Sequence, residues 1–162
     1  MGPVSATIPI DVPRERVHPL LADLAIRPAF TDHFIDEFRL ERLASVGVGA
    51  AARFRIRDRG LWIETVIEES SPPHLLVERG AGGRLDRMHV HTLWELVEAP
   101  APSGCEVTVT FVIESTGPFD RPGHERWYRR QWARALGRLK DLAESEREPP
   151  RVAIAGVDRL GA

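Results

Sequence analysis

Hydrophobic positions change their period twice along this chain, and the changes mark out its elements. Residues 4–10, VSATIPI, alternate with period two and predict a strand. Behind them Asp11 stands two residues before Pro13, and Val17, Leu20, Leu21 and Leu24 return at spacings of three and four. That pattern predicts a helix capped by Asp11, with Pro13 in its first turn. Pro19 falls inside the stripe, where its missing N–H and fixed ring are expected to kink the helix or delay its start. Pro28 predicts a second, short helix carrying Phe30 and Phe34.

From residue 36 to residue 115 period two dominates. Six segments read as strands: EFRLERL, ARFRIR, LWIETVIEE, HLLVERG, MHVHTLWELVE and EVTVTFVIES. Gly47 and Gly49, Asp58 to Gly60, Ser71-Pro72-Pro73, GAGGR, and Pro100 to Gly104 supply the turns, and such short connections predict antiparallel pairing. In ARFRIR, Ala52, Phe54 and Ile56 share one face; Arg53, Arg55 and Arg57 share the other, turned to water opposite Glu64 and Glu68. After Pro122 and Gly123 the period becomes helical. Tyr128, Trp132, Ala135, Leu136, Leu139 and Leu142 form an apolar stripe, while Arg126, Arg130, Arg134, Arg138 and Lys140 form the wet face. A helix with such a stripe must cover an apolar surface. A curved antiparallel sheet of about six or seven strands wrapped around it provides one, so the expected class is α+β. The chain then divides into a domain of residues 1–146 and a tail of residues 147–162. The double proline near the start of the tail stops the helix, and the apolar residues beyond it predict docking rather than free disorder.

Composition narrows the class further. A chain of 162 residues, 43% hydrophobic and 28% charged, matches one globular domain. Its hydrophobic runs are too short for a membrane span or a signal peptide, which predicts a cytoplasmic protein without membrane partners. A net charge of −2 with both signs interspersed gives no basic field, so nucleic acid is not an expected partner. A monomer or homodimer is expected. Cys105, the single cysteine, excludes an internal disulfide and a Cys-rich zinc site, and reads as a half-buried strand residue.

The order of elements is similar to the helix-grip fold of the START-like or SRPBCC superfamily, with the polyketide cyclase/dehydrase group nearest. VHPLLADLAIRPAF resembles the first helix of that superfamily, leading through Asp to an aromatic residue. VGVGAAARFRI resembles its glycine-marked approach to the third strand, and IEESSPPHLLVER its proline-marked turn between the fourth and fifth strands. The resemblance covers residues 4 to 146 and specifies a fold better than a reaction. It implies a cavity between sheet and C-terminal helix that takes a small hydrophobic molecule such as a lipid or polyketide, without a cofactor. The residues agree in one respect. Phe34, Phe54, Trp94, Phe111, Tyr128 and Trp132 are bulky, and Thr65 and Thr92 supply sparse polar points among them, the make-up of a ligand pocket. Ordinary core packing is the simpler explanation of any single one of these aromatics. A polyketide cyclase or dehydratase acting in the same cavity is the enzyme alternative; no convergent acid and base are legible, so binding ranks first.

One run competes with this reading. Gly83, His89, His91 and Glu95 spell G-x5-H-x-H-x3-E, which resembles the first metal motif of the cupins and implies a metalloenzyme. Period two places His89, His91 and Glu95 on one face of their strand, and Met88, Val90, Trp94 and Leu96 on the other. The second face is the more apolar, so the polar set is expected outside. The chain also lacks a fitting second motif, His124 being its sole downstream histidine. Other chemistry is weaker. Asp32 and His33 offer a loop general base, and Arg84, Asp86 and Arg87 a charged turn at a cavity mouth. GAGG has no phosphate-loop lysine, and Ser70, Ser71 and Ser103 sit in turns without an elbow motif.

Overall fold

In the computed structural model, residues 2–100, 103–115 and 124–153 are described, excepting the side chains of residues 84 and 115. Seven strands form one sheet: β1 (Val4–Ile10), β2 (Ile35–Leu40), β3 (Ala51–Ile56), β4 (Leu61–Ser71), β5 (Leu75–Gly82), β6 (Met88–Glu98) and β7 (Cys105–Ser115). Their order is β1-β7-β6-β5-β4-β3-β2, and every neighbouring pair is antiparallel. Helices α1 (Arg14–Ala22) and α2 (Pro28–Thr31) connect β1 to β2, and the long α3 (Glu125–Glu144) follows β7. The result is the α+β helix-grip architecture expected from the pattern: a curved antiparallel sheet closed by the C-terminal helix. Pro122, Gly123 and the tail beyond residue 153 lie outside the described residues.

Curvature comes from sites where side chains are absent or register slips. A Cβ on Gly80 would stand 2.6 Å from the Glu64 carbonyl oxygen, and one on Gly82 would strike that of Trp62. Glycine therefore lets β5 press against β4 where the sheet bends. Bulges between Asp36 and Arg39 in β2, and between Ile67 and Glu69 in β4, add bend and twist. On the inner side α3 buries Tyr128, Trp132, Ala135, Leu136, Leu139 and Ala143, while Arg126, Arg130 and Arg134 stay exposed. Amphipathic spacing thus fixes which face of the helix meets the sheet.

Several expectations need correction. Asp11 does not cap α1; Pro13 holds that position without a side-chain bond, and the Asp11 backbone N–H donates to Glu144 at 2.9 Å. Pro19 sits within α1 without delaying its start at Arg14. Only one backbone bond, to the residue four positions earlier, is forfeited in so short a helix. Cys105 is fully buried rather than half-buried, because β1 pairs over it through Ile10. Lys140 is half-buried and binds Asp11 and Glu144, and Arg138 turns back onto Asp32, so neither is a plain solvent-facing residue. Arg53 does face Glu64 in register, but Glu68 pairs with Arg79 instead. At the chain's far end the Val152 N–H donates to the Ala25 carbonyl, and Arg151 pairs with Asp23.

Candidate functional site

All eight residues singled out for a ligand site are buried: Phe34, Phe54, Thr65, Thr92, Trp94, Phe111, Tyr128 and Trp132. Five of them meet in one ring cluster between sheet and α3. Trp132 lies 5.2 Å from Phe34, 5.6 Å from Trp94 and 5.3 Å from Phe111, centroid to centroid, and Phe111 lies 5.3 Å from Tyr128. Most of these contacts are tilted or edge-to-face, the arrangement that ring quadrupoles favour. Phe54 stands apart toward the β2 edge, stacked on Phe38. Burial raises the pKa of the Tyr128 hydroxyl to about 12, so it remains a neutral phenol.

The centre of this apolar interior is ionic, which the sequence reading missed. Glu78, 2% exposed, projects inward from β5 and accepts two bonds from Arg27, at 2.6 Å and 3.2 Å. The Trp94 indole N–H donates to the same carboxylate at 2.8 Å, and the Thr65 hydroxyl lies 3.4 Å from it. Arg27, 4% exposed, arrives from the α1–α2 connection, donates also to the Leu21 carbonyl, and lies over the Phe30 and Trp94 rings. Register explains the meeting: Glu78 faces Ile67 on one side and Thr92 on the other, and Thr65 and Trp94 lie two residues along those neighbouring strands, on the same face. A bidentate pair with further donors is the arrangement in which a buried charge pair can persist. A signal for Glu78 existed, since period two places it on the face of Leu76. Nothing local marked Arg27 as its partner.

Among the described residues four buried donors have no acceptor, and two of them, Arg27 Nε and Trp132 Nε1, belong to this interior. An unmet buried donor costs about 1–3 kcal/mol. Trp132 is 3% exposed and its neighbours are rings, so its indole N–H is a polar point held inside apolar walls.

Elsewhere the candidate chemistry disperses. His89 and Glu95 are exposed and His91 half-buried, all on the outer face of β6, so the cupin-like spacing brings no ligands together inside a barrel. The inward face holds Val90, Thr92, Trp94 and Leu96, and the apolar set decided the register. Asp32 and His33 dock the α2–β2 turn onto α3. His33 Nε2–H donates to the Gln131 carbonyl at 3.1 Å, leaving Nδ1 to accept from Arg138 at 3.3 Å, and burial holds its pKa below the usual value. Asp86 and Arg87 are exposed, and the Arg84 side chain lies outside the described residues. His18, unremarked in the sequence, is buried in α1 with Nε2–H donating to the Leu75 carbonyl. At the start of α3 a cleft of about 420 Å³ is lined by His124, Glu125, Arg126, Trp127 and Arg130, and Trp127 touches Phe34 at 6.2 Å.

Comparison with known proteins finds the same fold. A family model described as polyketide cyclase / dehydrase and lipid transport matches residues 1–144. The chain belongs to that family. No curated protein matches the sequence. Among solved structures, the KanY protein aligns with this cyclase/dehydrase family member at a TM-score of 0.72 and 18% identity, over 90% of this chain and 100% of that one. The major latex-like protein 151 of Panax ginseng aligns at 0.69 and 12%, over 89% and 98%. DynU16, from the dynemicin biosynthetic locus, aligns at 0.62 and 19% over 93% of this chain, which spans only 49% of that longer one. At these identities the likeness is one of fold.

Proposed function

We propose that the protein binds a small hydrophobic molecule, a lipid, polyketide or similar aromatic, between the sheet and α3. The observation that carries this reading is the ring cluster itself, apolar walls enclosing a few oriented polar groups at Glu78, Thr65 and Trp132. Rings in mutual contact occupy that space, so a ligand enters by displacing them. Half-buried Trp127 joins the surface cleft to Phe34 and marks the route. Native mass spectrometry of the purified protein tests the proposal: a retained small molecule, or stoichiometric uptake of an added aromatic with quenching of tryptophan fluorescence, is the expected result. A protein that stays ligand-free across a panel of lipids and aromatics would overturn it.

A second reading, a cyclase or dehydratase using the same interior, is favoured by one observation. Glu78 is a carboxylate on the inner face, the type of group that moves protons during aldol and dehydration steps. Its oxygens are already occupied by Arg27 and Trp94, which is why binding comes first. Turnover of a polyketide substrate that disappears in Glu78→Gln would reverse the order.

A further inference from the structure

We infer that Trp132 is the specificity-determining donor of the interior and selects ligands that carry a neutral acceptor oxygen, a ketone or quinone-type carbonyl on a planar apolar skeleton. The inference rests on the hydrophobic-ligand reading and sharpens it.

The starting point is an unmet donor. Trp132 is 3% exposed, its Nε1 has no hydrogen-bond partner, and the rings of Phe34, Trp94 and Phe111 surround it. Ring faces are weak substitutes for an oxygen acceptor. Trp94 shows the contrast, since its N–H donates to Glu78 at 2.8 Å. Buried polar groups in native proteins are nearly always paired, so an unmet indole N–H walled by rings at the centre of a binding interior points to a missing partner. A site that must pair a buried group discriminates strongly between ligands that can and cannot do so.

Charge narrows the class. The ion pair beside the cluster, Arg27 with Glu78, is neutral as a unit: Arg27 spends both Nη groups on Glu78 and Leu21, and although its Nε has no acceptor its charge is already matched by Glu78. No free cation faces Trp132 from that pair to hold a carboxylate, so the group the indole N–H reads is a neutral oxygen. Edge and face contacts at 5.2–5.6 Å around Trp132 suit a flat skeleton that takes the place of one ring.

Fluorenone and fluorene provide the test, being nearly the same shape and differing in a carbonyl against a methylene. By fluorescence titration, the wild-type protein is expected to bind fluorenone about tenfold more tightly than fluorene, the ratio one ordinary hydrogen bond supplies. Trp132→Phe should bring the ratio of the two affinities close to one, whatever its effect on the affinity for fluorene. Equal wild-type affinities, or a ketone preference that survives Trp132→Phe, would overturn the inference and leave hydrophobic binding standing. Binding of neither compound would overturn the inference and leave hydrophobic binding to be decided by the panel of lipids and aromatics. Should Trp132→Phe fail to fold, the wild-type indole N–H resonance of Trp132, assigned through its contacts with Phe34 and Phe111, decides the matter. A downfield shift with fluorenone alone supports the assignment of Trp132, and an unmoved resonance refutes it.

Discussion

Strands β5 and β6 carry polar residues on both faces, and the two faces use them differently. On the inner face Glu78 pairs across to Thr92 and is gripped by Arg27 and Trp94; on the outer face Arg79 pairs across to His91, with His89 and Glu95 beside it in the open. The outer row has the more suggestive spacing. The inner group has the stronger physics, because charges removed from water must find partners while charges in water need none. One residue of register separates the two situations. Spacing of residue types along a strand therefore says less about chemistry than the face on which the strand buries its apolar set.

The largest expected effect follows from that difference. Glu78→Ala leaves the Arg27 guanidinium buried and unpaired, and should destabilise by about 3–5 kcal/mol in urea denaturation. The double change Arg27→Met with Glu78→Met should recover most of the loss, since a matched pair of apolar residues leaves no stranded charge. Glu95→Ala on the outer face should stay within about 0.5 kcal/mol. If Glu78→Ala were as mild as Glu95→Ala, the two faces would not differ in the way described.

Much of this arrangement was legible in the sequence, for reasons that differ by element. The first strand and the sixth coincide with the segments read from period two, and the stripe on α3 was visible because an amphipathic helix repeats its signal over five turns. The inward set of β6 followed from its apolar face alone. Glu78 is readable in principle, as the polar member of the Leu76 face, but no local pattern separates it from the many solvated charges of this chain. Arg27 was not readable: it reaches Glu78 across 51 residues, and only the folded path of the α1–α2 connection brings the two together. His18 and Cys105 show the same limit, since their burial is made by β5 and β1, elements remote in the chain. Trp132 was legible as an inward ring, but an unmet donor becomes visible only when every neighbour is placed.

His33 stands between the two extremes and sharpens the comparison through pH. Half-buried, with a pKa lowered chiefly by burial, it is neutral in the folded protein where the unfolded chain would already take up a proton. With the folded value depressed, the unfolded state binds more protons as pH falls through the ordinary value of 6.5, and stability declines there until the folded imidazole also titrates. Stability curves measured by urea at a series of pH values should therefore slope downward below that point, and His33→Gln should flatten the slope. A slope unchanged in His33→Gln would assign the acid loss to other groups.

The smallest expected effect belongs to the outer row. His89→Gln with His91→Gln changes two side chains that point away from the core, where the register is held by Val90, Trp94 and Leu96 on the opposite face. Neither imidazole appears in a described ion pair, and a surface change without a buried partner seldom exceeds about 0.5 kcal/mol. The double variant should thus match the wild type in urea midpoint, in ligand uptake and in metal content by elemental analysis. The last measurement is the sharp one. If the wild type held near-stoichiometric zinc, iron, nickel or manganese that vanished in the variant, the outer face would carry chemistry after all. Its spacing would then outweigh its exposure, and the contrast between the faces of β6 would have to be redrawn around a metal.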